Sequence, residues 1–367
     1  MMNDYPIRFL IGANTPAGFF GFHQTDLYDA RDGWAAFLIK SGAGTGKATF
    51  MREVAALLAP KTAAEAIFCS SDPDSLDAVI FPDIKLCLVD ATHPHVIEPI
   101  AYGECEQIVP FGCCLKPAVT LAQADAWFDA ADACARAHAR CCRFSAAAHS
   151  LLQNNRLIAE RALLNDKTER AAARLAAKAF PLPAAKRGRE TRRFLSAVTP
   201  KGYLFFADTA CALCPTLYQI EDEYGAAASR LTSLLRDEAL SRGLDIITCR
   251  SPFSPQDTID HLLIPSLGIG FLTSNSLHRI DFPVYRRLHA ARFLDGDALK
   301  SHKQQLRFNR RAAEELIAEA VRASADAKAH HDRMEALHTA AMDWDEWRRI
   351  ADTAKAQILA VANARLS

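Results

Sequence analysis

The residue types and spacing best suited to chemistry lie between Ala36 and Thr49, which read Ala-Phe-Leu-Ile-Lys-Ser-Gly-Ala-Gly-Thr-Gly-Lys-Ala-Thr. An apolar strand runs into a glycine-rich turn, and Lys47 opens a helix continued by Phe50, Met51, Val54 and Leu57. That is the layout of a phosphate-binding P-loop, in which backbone N–H groups and the positive helix end meet an anion and the lysine reaches its outer oxygens. Gly42, Ala43, Gly44, Thr45, Gly46, Lys47, Ala48 and Thr49 are therefore the expected nucleotide contacts. Two positions depart from the G-x-x-x-x-G-K-[ST] pattern: Ser41 replaces the first glycine, and Ala48 replaces the hydroxyl that would hold Mg²⁺. Thr49 lies one residue on, about 100° around the helix, within reach of a phosphate and the remaining hydroxyl for the metal, though badly aimed for it.

Lys85-Leu-Cys-Leu-Val-Asp90 is an apolar strand ending in an acid, so Asp90 is the expected Mg²⁺ carboxylate. Ala91 follows it, leaving no glutamate beside the aspartate to polarise an attacking water. Ser70-Ser-Asp-Pro-Asp-Ser-Leu-Asp77 has two readings. Asp72, Asp74 and Asp77 could seat a substrate or metal at the carboxyl edge of a sheet, or the segment could cap a helix ahead of Leu76 and Val79. His93 and His95 follow Asp90 closely. His95 is the better site candidate, with a structural role as its alternative.

The elements that position these residues occur twice. Thr15-Pro16-x-Gly18 returns as Thr199-Pro200-x-Gly202 at an offset of 184 residues. Asp77, Pro82 and His95 find Asp260, Pro265 and His278 at 183, and Cys69 finds Cys249 at 180. The same offsets set Ala227 against Lys47 and Thr273 against Asp90, so the second phosphate site is expected to be degenerate. The chain therefore reads as α/β: two tandem P-loop NTPase-like parallel-sheet cores, each followed by a long α-helical arm. Residues 1–182 form the first repeat with its arm at about 118–180, 183–191 the linker, and 192–367 the second repeat with its arm at about 285–365. Arms of that length are expected to pack on the other half or on a protein partner.

Composition narrows the classes. Forty-three basic residues balance 43 acidic ones in 367, which speaks against nucleic-acid binding, and the run from Lys186 to Arg193 reads as a solvated linker. No apolar stretch is long enough to span a membrane and no signal-peptide pattern opens the chain, so the cytoplasm is expected. The 11 cysteines are expected to be reduced thiols, and Cys211-Ala-Leu-Cys214 lacks the second pair that a zinc site needs.

Taken together, these motifs resemble a bacterial family of duplicated P-loop proteins labelled ATPase or nucleotide-binding protein of uncharacterised role. The resemblance rests on Thr-Pro-x-Gly before each core, Lys40 to Thr49, Asp72 to Asp77, and Val89-Asp-Ala-Thr-His-Pro-His-Val96. It implies ATP binding by the first copy, with Lys47 on phosphate and Asp90 near Mg²⁺. Ser41 and Ala48 bear on hydrolysis more than on binding. The expected activity is weak ATPase or small-molecule phosphotransfer by Lys47 and Asp90. The alternative is a non-catalytic scaffold that holds a protein partner through its arms.

Overall fold

The computed structural model describes residues 5–182, 184 and 186–366. In the first half, β1 (Ile7–Leu10) precedes a hairpin of β2 (Gly12–Thr15) and β3 (Gly18–Gly21), then β4 (Ala35–Ile39), α1 (Lys47–Leu58), β5 (Glu65–Phe68), β6 (Leu76–Phe81), β7 (Leu86–Asp90) and β8 (Glu106–Val109). Helices α2 (Pro117–Ala122), α3 (Ala124–Arg161) and α4 (Asn165–Ala179) follow. The second half begins with β9 (Glu190–Arg193), β10 (Ser196–Thr199), β11 (Gly202–Phe205), α5 (Ala207–Leu213), β12 (Thr216–Glu221) and α6 (Ala226–Ser241). It continues with β13 (Ile246–Ser251), β14 (Ser254–Ile264), β15 (Ile269–Ser274), β16 (Arg286–His289), α7 (Gly296–Lys300), α8 (Lys303–Ala341) and α9 (Trp344–Leu366).

Each half builds a six-stranded sheet, ordered β1-β5-β6-β7-β4-β8 and β9-β13-β14-β15-β12-β16. The two orders correspond strand for strand. So do the directions: all pairs are parallel except those of β6 and β14, which run antiparallel to both neighbours. The sheets are thus mostly parallel rather than wholly so. The segment after Cys69 makes a turn and then strand β6, which removes the helix-cap reading of Asp72 to Asp77. The repeated Thr-Pro-x-Gly is the hairpin turn of each half. Thr15 and Thr199 hydroxyls donate to the carbonyls of Gly18 and Gly202 (2.7 and 2.8 Å), at glycine φ angles of 115° and 124° that a side chain would resist.

Register corrects two of the sequence pairings. Ile67 and Cys249 occupy matching places beside β1 and β9, so the mate of Cys69 is Ser251. The left-handed glycines that open α1 and α6 are Gly46 and Gly225, so Lys47 faces Ala226, one residue before the expected Ala227. Asp90 and Thr273 do correspond, because Lys85 and Gly268 end matching turns at φ 46° and 63°.

The boundaries shift as well. Strand β16 belongs to the second sheet, so that arm begins at α7 instead of residue 285. Strand β9 takes residues 190 and 191 from the expected linker, of which Pro183 and Ala185 lie outside the described residues. Arg193 is withdrawn from solvent, and Arg192 is half-buried in an ion pair. Arg192 pairs with Asp26 at 2.8 Å, and Arg193 is buried with its guanidinium on the Asp26 carbonyl (2.6 Å). Arg8 pairs reciprocally with Asp208 at 2.5 Å, and Leu10 and Phe194 exchange backbone hydrogen bonds of 2.9 and 2.8 Å. These contacts knit the halves about a local two-fold axis.

The arms are exchanged between the halves. Helices α3 and α8 run antiparallel along a seam of small buried residues, Ala130, Cys134, Ala137, Cys141 and Ala148 against Ala313, Ala320, Ala323 and Ala327. Alanine and cysteine at three- and four-residue spacing let two long helices approach closely. The last helix of each arm then packs on the opposite core. Leu175, Ala176 and Phe180 join the second sheet's core, whereas Trp347, Ala351, Ile358 and Ala362 join the first's. Mutual bridges mark the crossing, Leu115 with Met342 and Leu163 with Leu294. Among the described residues, no helix is long and apolar enough to cross a membrane, and all 11 thiols are free, six of them buried.

Candidate functional site

Strand β4 delivers the glycine turn to the carboxyl edge of the first sheet, beside β7. Gly44 and Gly46 are left-handed, and α1 starts at Lys47 without a side-chain cap or an acid in its first turn. The Thr45 hydroxyl donates to the Gly42 carbonyl at 2.9 Å and folds the turn on itself. Among the described residues, the backbone amides of 42–49 meet no acceptor. The Ser41 hydroxyl is buried without a partner. Lys47, largely buried, reaches back to the Gly42 carbonyl and lies 3.4 Å from the Asp90 carboxylate. Asp90 in turn accepts from the backbone N–H of Thr92 at 3.0 Å and from its hydroxyl. The structure therefore brings Lys47 and Asp90 together as an ion pair. It does not bring Thr49, which is exposed. Thr92 went unnoticed in the sequence, where only its place two residues after Asp90 hinted at it.

The arm of the second half lies over this turn. The Nδ1–H of His338 donates to the Ala43 carbonyl (3.0 Å), and the Thr339 hydroxyl donates to the Gly44 carbonyl (2.9 Å). A Cβ on Gly44 would meet the Glu335 carbonyl at 2.5 Å, and one on Gly46 would meet the Trp347 indole at 3.0 Å. These glycines are thus demanded by a protein neighbour as well as by backbone conformation. The arm takes carbonyls of the turn and leaves its amides.

The matching turn of the second half carries its own anion. Asp222, 2% exposed, accepts from the N–H of Tyr224 (3.1 Å), just ahead of α6, and from that of Ala228 (2.8 Å) in its first turn. Register from the paired strands puts Asp222 at the place of Ser41. A carboxylate at a helix N-terminus with two amides is the arrangement a phosphate would otherwise complete. Arg230, beside this turn, pairs with Glu169 at 2.5 Å. A cavity of about 120 Å³ opens at this edge, and among its lining residues are Arg156, Tyr203, Tyr224, Asp260, His278 and Arg310. Burial pushes the Asp260 carboxyl up to about 7 and the His278 imidazole down to about 3.

The remaining predicted residues separate. Asp74 pairs with Lys201 at 2.5 Å and Asp72 lies 3.4 Å from Lys328, so both acids bind cations of the second half instead of forming an open substrate loop. Asp77 and His95 come together with a residue that sequence reasoning missed, His23. The His95 Nε2 is 3.6 Å and the His23 Nε2 4.0 Å from the Asp77 carboxylate, and the two imidazoles stack at 4.2 Å. Burial works to raise Asp77, but the two imidazoles and the Cys69 thiol outweigh it and hold its carboxyl below the usual range. Burial also lowers the His23 imidazole. A lone histidine after a glycine hairpin carries no recognisable signal, which is why His23 was passed over.

The fold and site define a mixed α/β protein with two six-stranded, mostly parallel sheets, each followed by helices. Comparison of the chain with protein-family models, with curated proteins and with solved structures gives no match.

Proposed function

We propose that the first half binds a nucleoside triphosphate, ATP as first choice, through the turn from Gly42 to Thr49, and that the second half does not. The observation that carries this reading is the contrast between the two helix starts. Asp222 takes one amide of the first turn of α6, that of Ala228, and that of Tyr224 just ahead of the helix, whereas the amides at the start of α1 have no acceptor and a lysine stands among them. A lysine there opposes the helix dipole, and its anionic neighbour Asp90 offsets that without giving the turn's amides an acceptor. The donor set fits a polyphosphate: several amides, one ammonium group and no internal carboxylate except Asp90.

Asp90 is the residue suited to hold Mg²⁺, which binds through one or two carboxylates, waters and phosphate oxygens. Ala48 has no oxygen to offer and Thr49 is exposed, so the metal would rest on a single protein ligand. Bound there, Mg²⁺ would neutralise phosphate charge. Lys47 would do the same at the outer phosphate, the electrostatic share of phosphoryl transfer. Weak ATP hydrolysis or transfer to a small acceptor follows from that set. The scaffold reading has less support, because the arms bury their small-residue seam and terminal helices within this chain.

The test is calorimetric titration of ATP and ADP, with and without Mg²⁺, into wild type and Lys47→Ala. One site per chain is expected, with affinity lost at least tenfold in the variant. Equal affinity in both proteins would refute the reading. The same titration would register a metal-independent site as binding unaffected by chelator.

A further inference from the structure

We propose that His23, Asp77 and His95 form a binding site for a divalent first-row transition-metal ion, of which Zn²⁺ is the probe. The inference stands apart from nucleotide binding. Three side chains converge from three places, His23 after the β3 hairpin, Asp77 from β6 and His95 from the loop after β7. Their candidate donor atoms all lie within 4.8 Å of one another. All three residues are more than nine-tenths buried. The Asp77 separations of 3.6 and 4.0 Å are too long for hydrogen bonds. They are close to the roughly 3.3 Å between ligand atoms around a tetrahedral zinc with bonds of about 2.0–2.1 Å. His23 Nε2 and His95 Nδ1 have no hydrogen-bond partner. Neither imidazole hydrogen-bonds the Asp77 carboxylate, and a buried carboxylate without such partners is costly unless a cation joins it. Two imidazoles and one carboxylate select zinc, iron, cobalt or manganese over Mg²⁺ or Ca²⁺.

The second half shows what the same scaffold does when these ligands are not assembled. There Asp260 and His278 persist, but the His278 Nε2 bonds to the Ser196 hydroxyl at 2.9 Å and lies 3.3 Å from that of Tyr203. In the first half those two places hold Gly12 and Phe19, which offer His95 no hydroxyl. The Phe205 ring packs 4.9 Å from His278, as His23 packs against His95. Room for the His23 ring comes from two paired glycines. A Cβ on Gly12 would lie 2.8 Å from His23 Cε1, and one on Gly21 2.4 Å from its Nδ1. Three protein ligands leave one position open, the pattern of zinc that handles a substrate or water. Asp77 lies one register step beyond the Ala78–Val89 pair, across from Asp90.

The full chain, stripped of metal with chelator, is titrated with Zn²⁺ by calorimetry and with Co²⁺ by visible absorption. Wild type is expected to bind one ion per chain, with Co²⁺ bands free of thiolate charge transfer. His23→Phe, which places in the first half the kind of ring that Phe205 supplies in the second, should weaken Zn²⁺ by at least about a hundredfold. The combined Cys113→Ser, Cys211→Ser and His331→Ala variant should bind as wild type does. His95→Gln serves in its place should circular dichroism show His23→Phe unfolded. Absence of binding by wild type, equal affinity in the histidine variants, or a thiolate band would each overturn the assignment.

Discussion

Replacement of Asp222 by alanine tests whether the second half carries a built-in anion where the first has open amides. Asp222 is 2% exposed and accepts two backbone hydrogen bonds, of 3.1 Å from Tyr224 ahead of α6 and 2.8 Å from Ala228 in its first turn. Charge-assisted bonds of this kind contribute about 1.5–3 kcal/mol each. Relief of the carboxylate's own desolvation offsets part of the loss, so Asp222→Ala is expected to cost about 3 kcal/mol. Asp222→Asn keeps the shape and one acceptor oxygen, and should fall between. Urea unfolding followed by circular dichroism reads the difference. A loss below about 1 kcal/mol in the alanine variant would mean that Tyr224 and Ala228 find other acceptors. The contrast with Lys47 would then say nothing about phosphate.

The converse change, Ser41→Asp, places a carboxylate at the matching position of the first half, where it is expected to compete with phosphate. ATP affinity should fall at least tenfold by calorimetry, and unchanged affinity would show that residue 41 does not adjoin the phosphate chain. Gly44→Ala adds a Cβ at φ +69° and 2.5 Å from the Glu335 carbonyl, so a loss of about 2–3 kcal/mol is expected in urea unfolding. An unchanged midpoint would mean that α8 does not rest on the turn in solution. Asp260 gives a pH signature. Burial raises its carboxyl from 3.8 to about 7, so the folded chain holds that proton where the unfolded chain has released it. Its contribution is full below the unfolded value and is lost as pH rises through about 7, a span of about 4 kcal/mol. The stability of wild type relative to Asp260→Asn should therefore decline between about pH 4 and pH 7, and a flat difference would contradict the burial argument.

Much of the architecture was legible because it rests on local chemistry. Alternating and continuous apolar runs mark the strands. Glycine at positions of positive φ marks both hairpins and both helix starts, and the recurrence of Thr-Pro-x-Gly exposed the duplication before any strand order was known. Lys47 and Asp90 were readable as a pair because each sits at a fixed step from its own strand end, and two adjacent parallel strands then bring those ends together. Antiparallel β6 was missed because a short apolar segment after a turn has no direction in its sequence. The basic run was misread for a related reason: charge alone does not tell a solvated arginine from one whose partner, Asp26, lies more than 150 residues away.

What only the tertiary structure decided are the relations that depend on long-range closure. Alanine-rich periodicity determined that α3 and α8 would be helices with small-residue faces. It did not determine that α4 and α9 would each cross to the opposite sheet, because an apolar stripe fits either core. The same closure seats His338, Thr339 and Trp347 against the turn at Gly42 to Gly46, whereas folding of the first half itself gathers His23, Asp77 and His95 from segments with no common spacing. A sequence records which residues can bond. Packing of the two halves about their local axis sets which of them meet.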